Sequence, residues 1–278
     1  MGLIVARNRE ELAKASGGGR LALVPTMGAL HEGHRSLMRD ACARANRVAV
    51  SIFVNPLQFA PNEDFSRYPR TFDDDLQVCE EEGVSVVFAP AAEDMYRHDR
   101  QVSVNSGEMG RIVEGAFRPG HFDGVLTVVL KLFHLVQPDL AVFGQKDAQQ
   151  LAMIRRMVAD LDLPIEIVGS PTVREPDGLA LSSRNRYLSE DDRRVALTLS
   201  RALRVGAGEF TPAKIRETAR AVLDEAGGAL DVDYLVLADP ATFLEVSETY
   251  EGPAVLAVAA RVGGTRLIDN VILTLSPA

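Results

Sequence analysis

The chain has 278 residues, 46% of them hydrophobic, which is enough to bury a substantial core in one large domain or two unequal ones. Its formal charge of −9, with no long basic block, excludes a general nucleic-acid or membrane-surface binder, so an anionic ligand must be met by locally placed cations. No run reaches the roughly 18 apolar residues of a membrane helix, and no basic-then-apolar leader is visible, so a cytoplasmic location is expected.

In chain order, the apolar run Leu21–Val24 predicts a buried strand over 20–25, followed by a helix over 34–45 and strands and helices at 47–54, 72–82 and 84–89. Cys42 and Cys79 fall inside the two helical patterns without C-x-x-C spacing, which reads as reduced thiols and not as a zinc site. A loop-rich stretch precedes a helix over 123–136, a strand over 139–143, a helix over 147–161 and a strand over 164–168. Such alternation predicts a doubly wound α/β fold, a parallel sheet covered on both faces with ligands beyond the carboxyl ends of its strands. Helices over 190–207 and 212–226 then precede strands over 232–238, 254–262 and 265–275, the last two joined by Gly263-Gly264, a hairpin signal. The expectation is a domain over 1–170 and a smaller α+β domain over 171–278, divided near Pro171.

The stretch Pro25-Thr26-Met27-Gly28-Ala29-Leu30-His31-Glu32-Gly33-His34 ends a strand and opens a helix, so free backbone N–H groups and the positive end of the helix dipole face whatever binds there. Gly28 and Gly33 permit close backbone approach, and His31 and His34, at i and i+3, share one side of the first turn. Two imidazole donors placed there can follow charge developing on a phosphate oxygen. An isolated H-x-G-H is more often the mark of two surface histidines, and it is the rest of the chain that reverses this reading.

Three further groupings sit at strand ends or in loops. Phe53-Val54-Asn55-Pro56-Leu57-Gln58-Phe59 offers the amides of Asn55 and Gln58 in an apolar setting, suited to a small polar molecule carrying methyl groups, or else forms a structural Asn-Pro turn. Phe143-Gly144-Gln145-Lys146-Asp147-Ala148-Gln149-Gln150 leaves a strand and opens a helix, with Asp147 a candidate cap and Lys146, one of four lysines, either facing the same crevice or simply solvated. Leu181-Ser182-Ser183-Arg184-Asn185 brings two hydroxyls and a guanidinium suited to phosphate oxygens, or else forms an ordinary Ser-rich cap. Of the remaining histidines, His98 reads as solvated and His134 as a core or interface group, while His121 is left undecided.

Taken in order, PTMGALHEGH, FVNPLQF, YPRTFDDDL, EGAFRPGHFDGVLTVVLKLF, FGQKDAQQ and PTVREPDGLALSSRNRYL resemble the pantothenate synthetases over nearly the whole chain. The resemblance implies a Rossmann-like nucleotidyltransferase domain related to the class I aminoacyl-tRNA synthetases, with His31 to His34 similar to their HIGH signature. Leu181 to Arg184 resembles their KMSKS loop, with arginine in place of the second lysine. It implies ligation of pantoate to β-alanine through a pantoyl adenylate, with ATP as co-substrate, Mg²⁺ on the phosphates, and a homodimer.

By the same resemblance, the ATP site comprises Thr26, Met27, Gly28, Ala29, Leu30, His31, Glu32, Gly33, His34, Gly144, Gln145, Lys146, Asp147, Val173, Leu181, Ser182, Ser183 and Arg184. His31, His34, Lys146 and Arg184 carry the chemistry there, His34 as the proton donor. Gln58, Gln150 and Asn55 meet pantoate and β-alanine, and Glu114 and Arg118 border the cleft in a loop that gates it. For the metal, Asp74 and Asp75 are the candidate carboxylates, while the run Asp73-Asp74-Asp75 also reads as an acidic helix start that favours the dipole. Two other readings stand beside the ligase: a nucleotidyltransferase that leaves AMP on a phosphate-bearing substrate, and a non-catalytic nucleotide-binding regulator. FVNPLQF and the second domain disfavour the first. The joint presence of both histidines, Lys146 and Arg184 disfavours the second.

Overall fold

A computed structural model describes residues 2–15, 17–60 and 65–276. The elements in order are β1 (Ile4–Ala6), α1 (Arg9–Lys14), β2 (Leu21–Thr26), α2 (Glu32–Arg44), β3 (Arg47–Ile52), α3 (Phe72–Glu81), β4 (Val86–Phe88) and α4 (Ala92–Met95). They continue with α5 (Glu114–Phe117), α6 (His121–Val136), β5 (Leu140–Gly144), α7 (Ala148–Asp160) and β6 (Glu166–Ser170). The chain then forms α8 (Glu190–Gly206), α9 (Pro212–Asp224), β7 (Leu230–Ala238), β8 (Gly252–Val262) and β9 (Thr265–Leu275).

The first sheet is wholly parallel, in the order β1-β4-β3-β2-β5-β6. Both its faces are buried, because successive residues of one strand enter opposite layers. Leu23 packs with α6 and α7 residues such as Phe133 and Ile154, while Ala22 and Val24 pack with Leu37, Met38 and Ala41 of α2. Along the chain β2, β3 and β4 are laid down in one direction and β5 and β6 in the other, so the topological switch falls between β2 and β5. There the sheet parts. β2 pairs with β5 only at Ala22–Leu140 and Leu23–Ala141, yet stays with β3 as far as Thr26–Ile52, and β5 stays with β6 as far as Gly144–Ser170. Pro25, which has no N–H to give, lies in the parted segment of β2. A crevice therefore opens at the carboxyl ends, where ligands of such folds bind.

The second sheet, β7-β8-β9, is antiparallel. Ala254, Leu256, Val258 and Ala260 of β8 face the core shared with α8 and α9, and the alternate Val255 and Ala257 pack against Ala152 of α7. That small apolar seam sets β9 beside the turn that follows β5. Between Val232 and Tyr234 the β7 register slips, and the extra residue, Asp233, is aimed into the joint between the sheets.

Several boundaries differ from expectation. The helix expected from residue 34 begins at Glu32, so His31 is its N-cap, and the helix expected from 123 begins at His121. β1 and α1 were not anticipated, being a three-residue edge strand and a six-residue charged helix. The strand expected over 164–168 lies at Glu166–Ser170.

Candidate active site

Beyond Thr26 the chain turns through Gly28 at φ +84° and Ala29 at φ +52°, the second a left-handed conformation that costs a non-glycine residue about 1 kcal/mol. The buried carboxylate of Asp75 holds that turn, accepting from the Ala29 N–H at 3.0 Å, the Leu30 N–H at 2.8 Å and the Thr71 hydroxyl at 3.2 Å. Bonds of this kind to a charged acceptor are among the stronger ones, and they offset the strain. Asp75 is therefore a staple for the loop and is not free to ligate metal, while Asp74 stands exposed on α3. The expected pair of metal carboxylates is not assembled.

The turn delivers an N-terminus capped by two imidazoles in place of the usual Ser and Glu. Gly33 N–H donates to His31 Nδ1 at 3.1 Å, and His31 N–H donates to His34 Nδ1 at 3.2 Å. Each Nδ1 is thus an acceptor, so the ring proton of each neutral imidazole sits on Nε2. The rings lie 4.1 Å apart between centroids. Burial, then the charges of Lys146 and Arg186, push the His31 pKa down to about 4; burial, then His31 and Lys146, push that of His34 down to about 3. Both are neutral hydrogen-bond donors at pH 7. Gly33 is required here, since a Cβ would lie 2.9 Å from the His31 ring.

Lys146 stands across the crevice at the end of β5, in a wall shared with Asp147, Ser182, Arg184, Arg118 and the β8–β9 hairpin around a cleft of about 700 Å³. Asp147 occupies the N-cap position of α7 but makes no side-chain capping bond, and its carboxylate lines the cleft. Val173 accepts the Leu181 N–H at 3.0 Å, and Arg174 bridges to Ala180, so Val173 of the expected ATP site and the Ser182–Arg184 loop lie on two arms of one hairpin. Ser182 Oγ caps the short helix after it by accepting the Arg184 N–H at 3.3 Å. The histidines and Gln58 lie outside the lining of this cleft, on its β2 side.

Gln58 is half-buried, and Gln150 lines a small adjoining cavity with Lys146 and His121. Asn55 is placed differently from expectation. It is 1% exposed, with its Nδ2 donating to Gln58 Oε1 and Gly124 O, both at 3.1 Å, and its Oδ1 accepting from Tyr96 Oη at 2.8 Å. It supports Gln58 from beneath because its own polar atoms are already engaged. His121 is likewise resolved: it is buried, its Nδ1 donates to Gln58 O at 2.9 Å, and its Nε2 accepts from Arg118 at 3.0 Å, tying the α5–α6 loop to the Gln58 turn. His98 is exposed, as expected; His134 is exposed on this chain too, so it is not a core group.

Sequence reasoning missed what the second sheet supplies. Arg266 of β9 forks onto Glu114 at 2.7 and 2.9 Å and onto Asp233 at 2.6 Å, and Tyr234 Oη donates to Glu114 at 3.1 Å. Burial and the Glu114 charge raise the Tyr234 pKa, which keeps the phenol protonated. Glu114 and Arg266 are 152 positions apart, and no local pattern announces such a pair.

Among the described residues no cluster of three or more His, Cys, Asp or Glu could cage a metal ion. A Mg²⁺ carried on triphosphate needs only one or two protein carboxylates and keeps its waters, and Asp147 beside Lys146 fits that requirement.

The family model described as pantoate-beta-alanine ligase matches residues 4–272. The pantothenate synthetase of Thermobifida fusca is 62% identical over 98% of this chain and 96% of its own, and that of Acidothermus cellulolyticus is 56% identical over 96% and 90%. Among solved structures, pantothenate synthetase from Thermus thermophilus superposes with a TM-score of 0.91 at 45% identity, covering 96% of this chain and 98% of that one. The Francisella tularensis pantoate-beta-alanine ligase, solved in complex with beta-gamma ATP and beta-alanine, gives 0.80 at 32% identity over 97% of both chains. With nearly the whole chain matched by the family model, by these relatives and by these structures, the chain belongs to the pantoate–beta-alanine ligase family.

Proposed function

We propose that this ligase, which joins pantoate to β-alanine, does so in two steps at the crevice between β2 and β5, using ATP to make an enzyme-bound pantoyl adenylate. The observation that carries the proposal is the pair of neutral Nε2–H imidazoles at the start of α2, with Lys146 near enough to depress the pKa of both.

A carboxylate is a poor acylating agent because its leaving oxygen is too basic. Pantoate carboxylate oxygen therefore attacks the α-phosphorus, the bond to the bridging oxygen breaks, and pyrophosphate leaves. In this reading His31 and His34 donate Nε2–H bonds to the phosphoryl oxygens, and Lys146, Ser182, Ser183 and Arg184 meet the charge from the other lip. Such catalysis is positioning and electrostatics more than proton transfer. The role of His34 is then that of a neutral hydrogen-bond donor. Thr26 to Leu30, Glu32, Gly33, Gly144 to Asp147, Val173 and Leu181 complete the nucleotide site. Asp147 would hold a Mg²⁺ brought in with the nucleotide, and the ion would supply charge neutralisation for the leaving pyrophosphate. Gln58 and Gln150 hold pantoate, with Asn55 beneath Gln58. In the second step the β-alanine nitrogen attacks the acyl carbon, the acyl–oxygen bond breaks, and AMP leaves as the ammonium proton is lost to solvent.

The same reading divides the chain at 170/171, supported by the separate core of α8, α9 and the second sheet. It also takes the protein as a cytoplasmic homodimer; no described helix is long and apolar enough to cross a membrane. Light scattering on the purified chain reads the oligomer.

The test mixes the protein with ATP, Mg²⁺ and pantoate and follows pyrophosphate and the bound nucleotide by mass spectrometry. A retained pantoyl adenylate that becomes pantothenate and AMP when β-alanine is added is the expected result. Pyrophosphate release that does not depend on pantoate would overturn the two-step scheme.

A further inference from the structure

β9 is an edge strand of the second sheet, paired with β8 alone, and it packs against the turn that carries Lys146. There Asn270 is 5% exposed, and its carboxamide nitrogen donates to two successive carbonyls, Gln145 O at 3.0 Å and Lys146 O at 2.8 Å. One planar amide bonded to consecutive peptide groups fixes both planes, and with them the direction in which the Lys146 side chain leaves the turn. The preceding residue, Asp269, is 3% exposed. It takes the Arg174 guanidinium bidentately at 2.7 and 2.9 Å and accepts the Asn270 N–H at 2.7 Å, which sets the backbone of Asn270 itself. Arg174 follows Val173 in the hairpin that carries Ser182 and Arg184. A two-residue segment of the second sheet thus holds the lysine turn with one side chain and the hairpin with the other.

We propose that Asn270 is a positioning residue for adenylate formation: its clamp on the Gln145 and Lys146 carbonyls aims the Lys146 ammonium at the triphosphate. The inference rests on the assignment of Lys146 to the triphosphate made above. An amide is needed, since a carboxylate would set two more oxygens against the two carbonyls with no hydrogen to share. Asn270 acts through the lysine turn, its amide nitrogen being engaged by the two carbonyls.

The test is single-turnover pyrophosphate release from ATP, Mg²⁺ and pantoate by the full chain, with Asn270→Leu, Lys146→Ala and both together. Misplacing a catalytic group by about 1 Å costs on the order of 100-fold, so Asn270→Leu should slow this step about 100-fold. Conversion of the bound adenylate by β-alanine should stay within about threefold of the unsubstituted rate. In the Lys146→Ala background Asn270→Leu should change the first step by less than about threefold, because the group it aims is gone. An unchanged first step in Asn270→Leu, or an equal loss with and without Lys146, overturns the proposal. An unchanged first step in Lys146→Ala overturns the underlying assignment instead. Should the leucine variant fail to fold, Asn270→Asp keeps the size of the side chain and regains one donor when protonated. Its deficit should shrink from pH 8.5 to pH 6, and a deficit flat across that range counts against the clamp.

Discussion

The two imidazoles that cap α2 make the fold sensitive to mild acid. Each accepts a backbone N–H on Nδ1, and each has its pKa lowered from 6.5, to about 4 for His31 and about 3 for His34, chiefly by burial. Between pH 7.5 and 5 the unfolded chain takes up a proton at each position while the folded chain does not, so stability must fall as pH falls. At pH 5 an ordinary histidine is about 1.5 pH units below its pKa, worth up to about 2 kcal/mol at each site and about 4 kcal/mol together. The comparison is His31→Asn with His34→Asn in one chain. Asparagine puts Oδ1 where Nδ1 stood, so both backbone donors keep an acceptor while the titration is lost. Denaturant unfolding followed by circular dichroism at pH 7.5 and pH 5 should show the original protein losing about 4 kcal/mol more than the double variant. The carboxylates with lowered pKa, among them Asp40 and Glu82, respond at more acidic pH and are common to both proteins. Equal losses in the two would refute the assignment of neutral, Nε2-protonated rings.

Three other perturbations separate structural from chemical roles. Asp75→Ala leaves the Ala29 and Leu30 N–H groups without their acceptor and should cost about 3 kcal/mol, whereas Asp74→Ala should change neither thermal stability nor the Mg²⁺ concentration for half-maximal pyrophosphate release. Gly124→Ala would set a Cβ 2.3 Å from Leu57 O and push the Gln58 turn outward, so steady-state kinetics should show a raised KM for pantoate with that for ATP unchanged. Arg266→Ala strips the partner from buried Glu114 and should cost roughly 3–5 kcal/mol in chemical denaturation, part of which should be regained when Glu114→Gln removes the orphaned charge.

Contiguous signals carried much of this protein. The strand-turn-helix at Leu21–Arg44 lies in one stretch, and both the apolar run and the glycines that shape it are visible as letters. The same holds for the Gly263-Gly264 hairpin and for the alternation that produced the parallel sheet. What escaped were contacts between distant positions. Asp75 looks like one of three acids at a helix start, and only the fold brings its carboxylate to amides 45 and 46 residues away. Asn55 is polar beside Gln58 in sequence, but α6 and Tyr96 close over it, so it serves its neighbour and not the cleft. Asp233, Arg266, Asp269 and Asn270 carry no motif at all. Their value comes from a bulge in β7 and from the packing of Val255 and Ala257 on α7, which no window of sequence encodes.

The early parting of β2 from β5 makes the first sheet resemble two rafts moored at one end. Each raft is braced along its outer side, by β3 to Thr26 and by β6 to Ser170, while beyond Leu23 and Ala141 no ladder bond crosses the gap. The α2 histidines ride on one raft and Lys146 on the other. A triphosphate spanning the gap would act as a rung between them, so the substrate itself completes the mechanical continuity of the sheet. On the proposed placement of ATP, nucleotide binding would also brace the catalytic frame at the place where the sheet leaves it open.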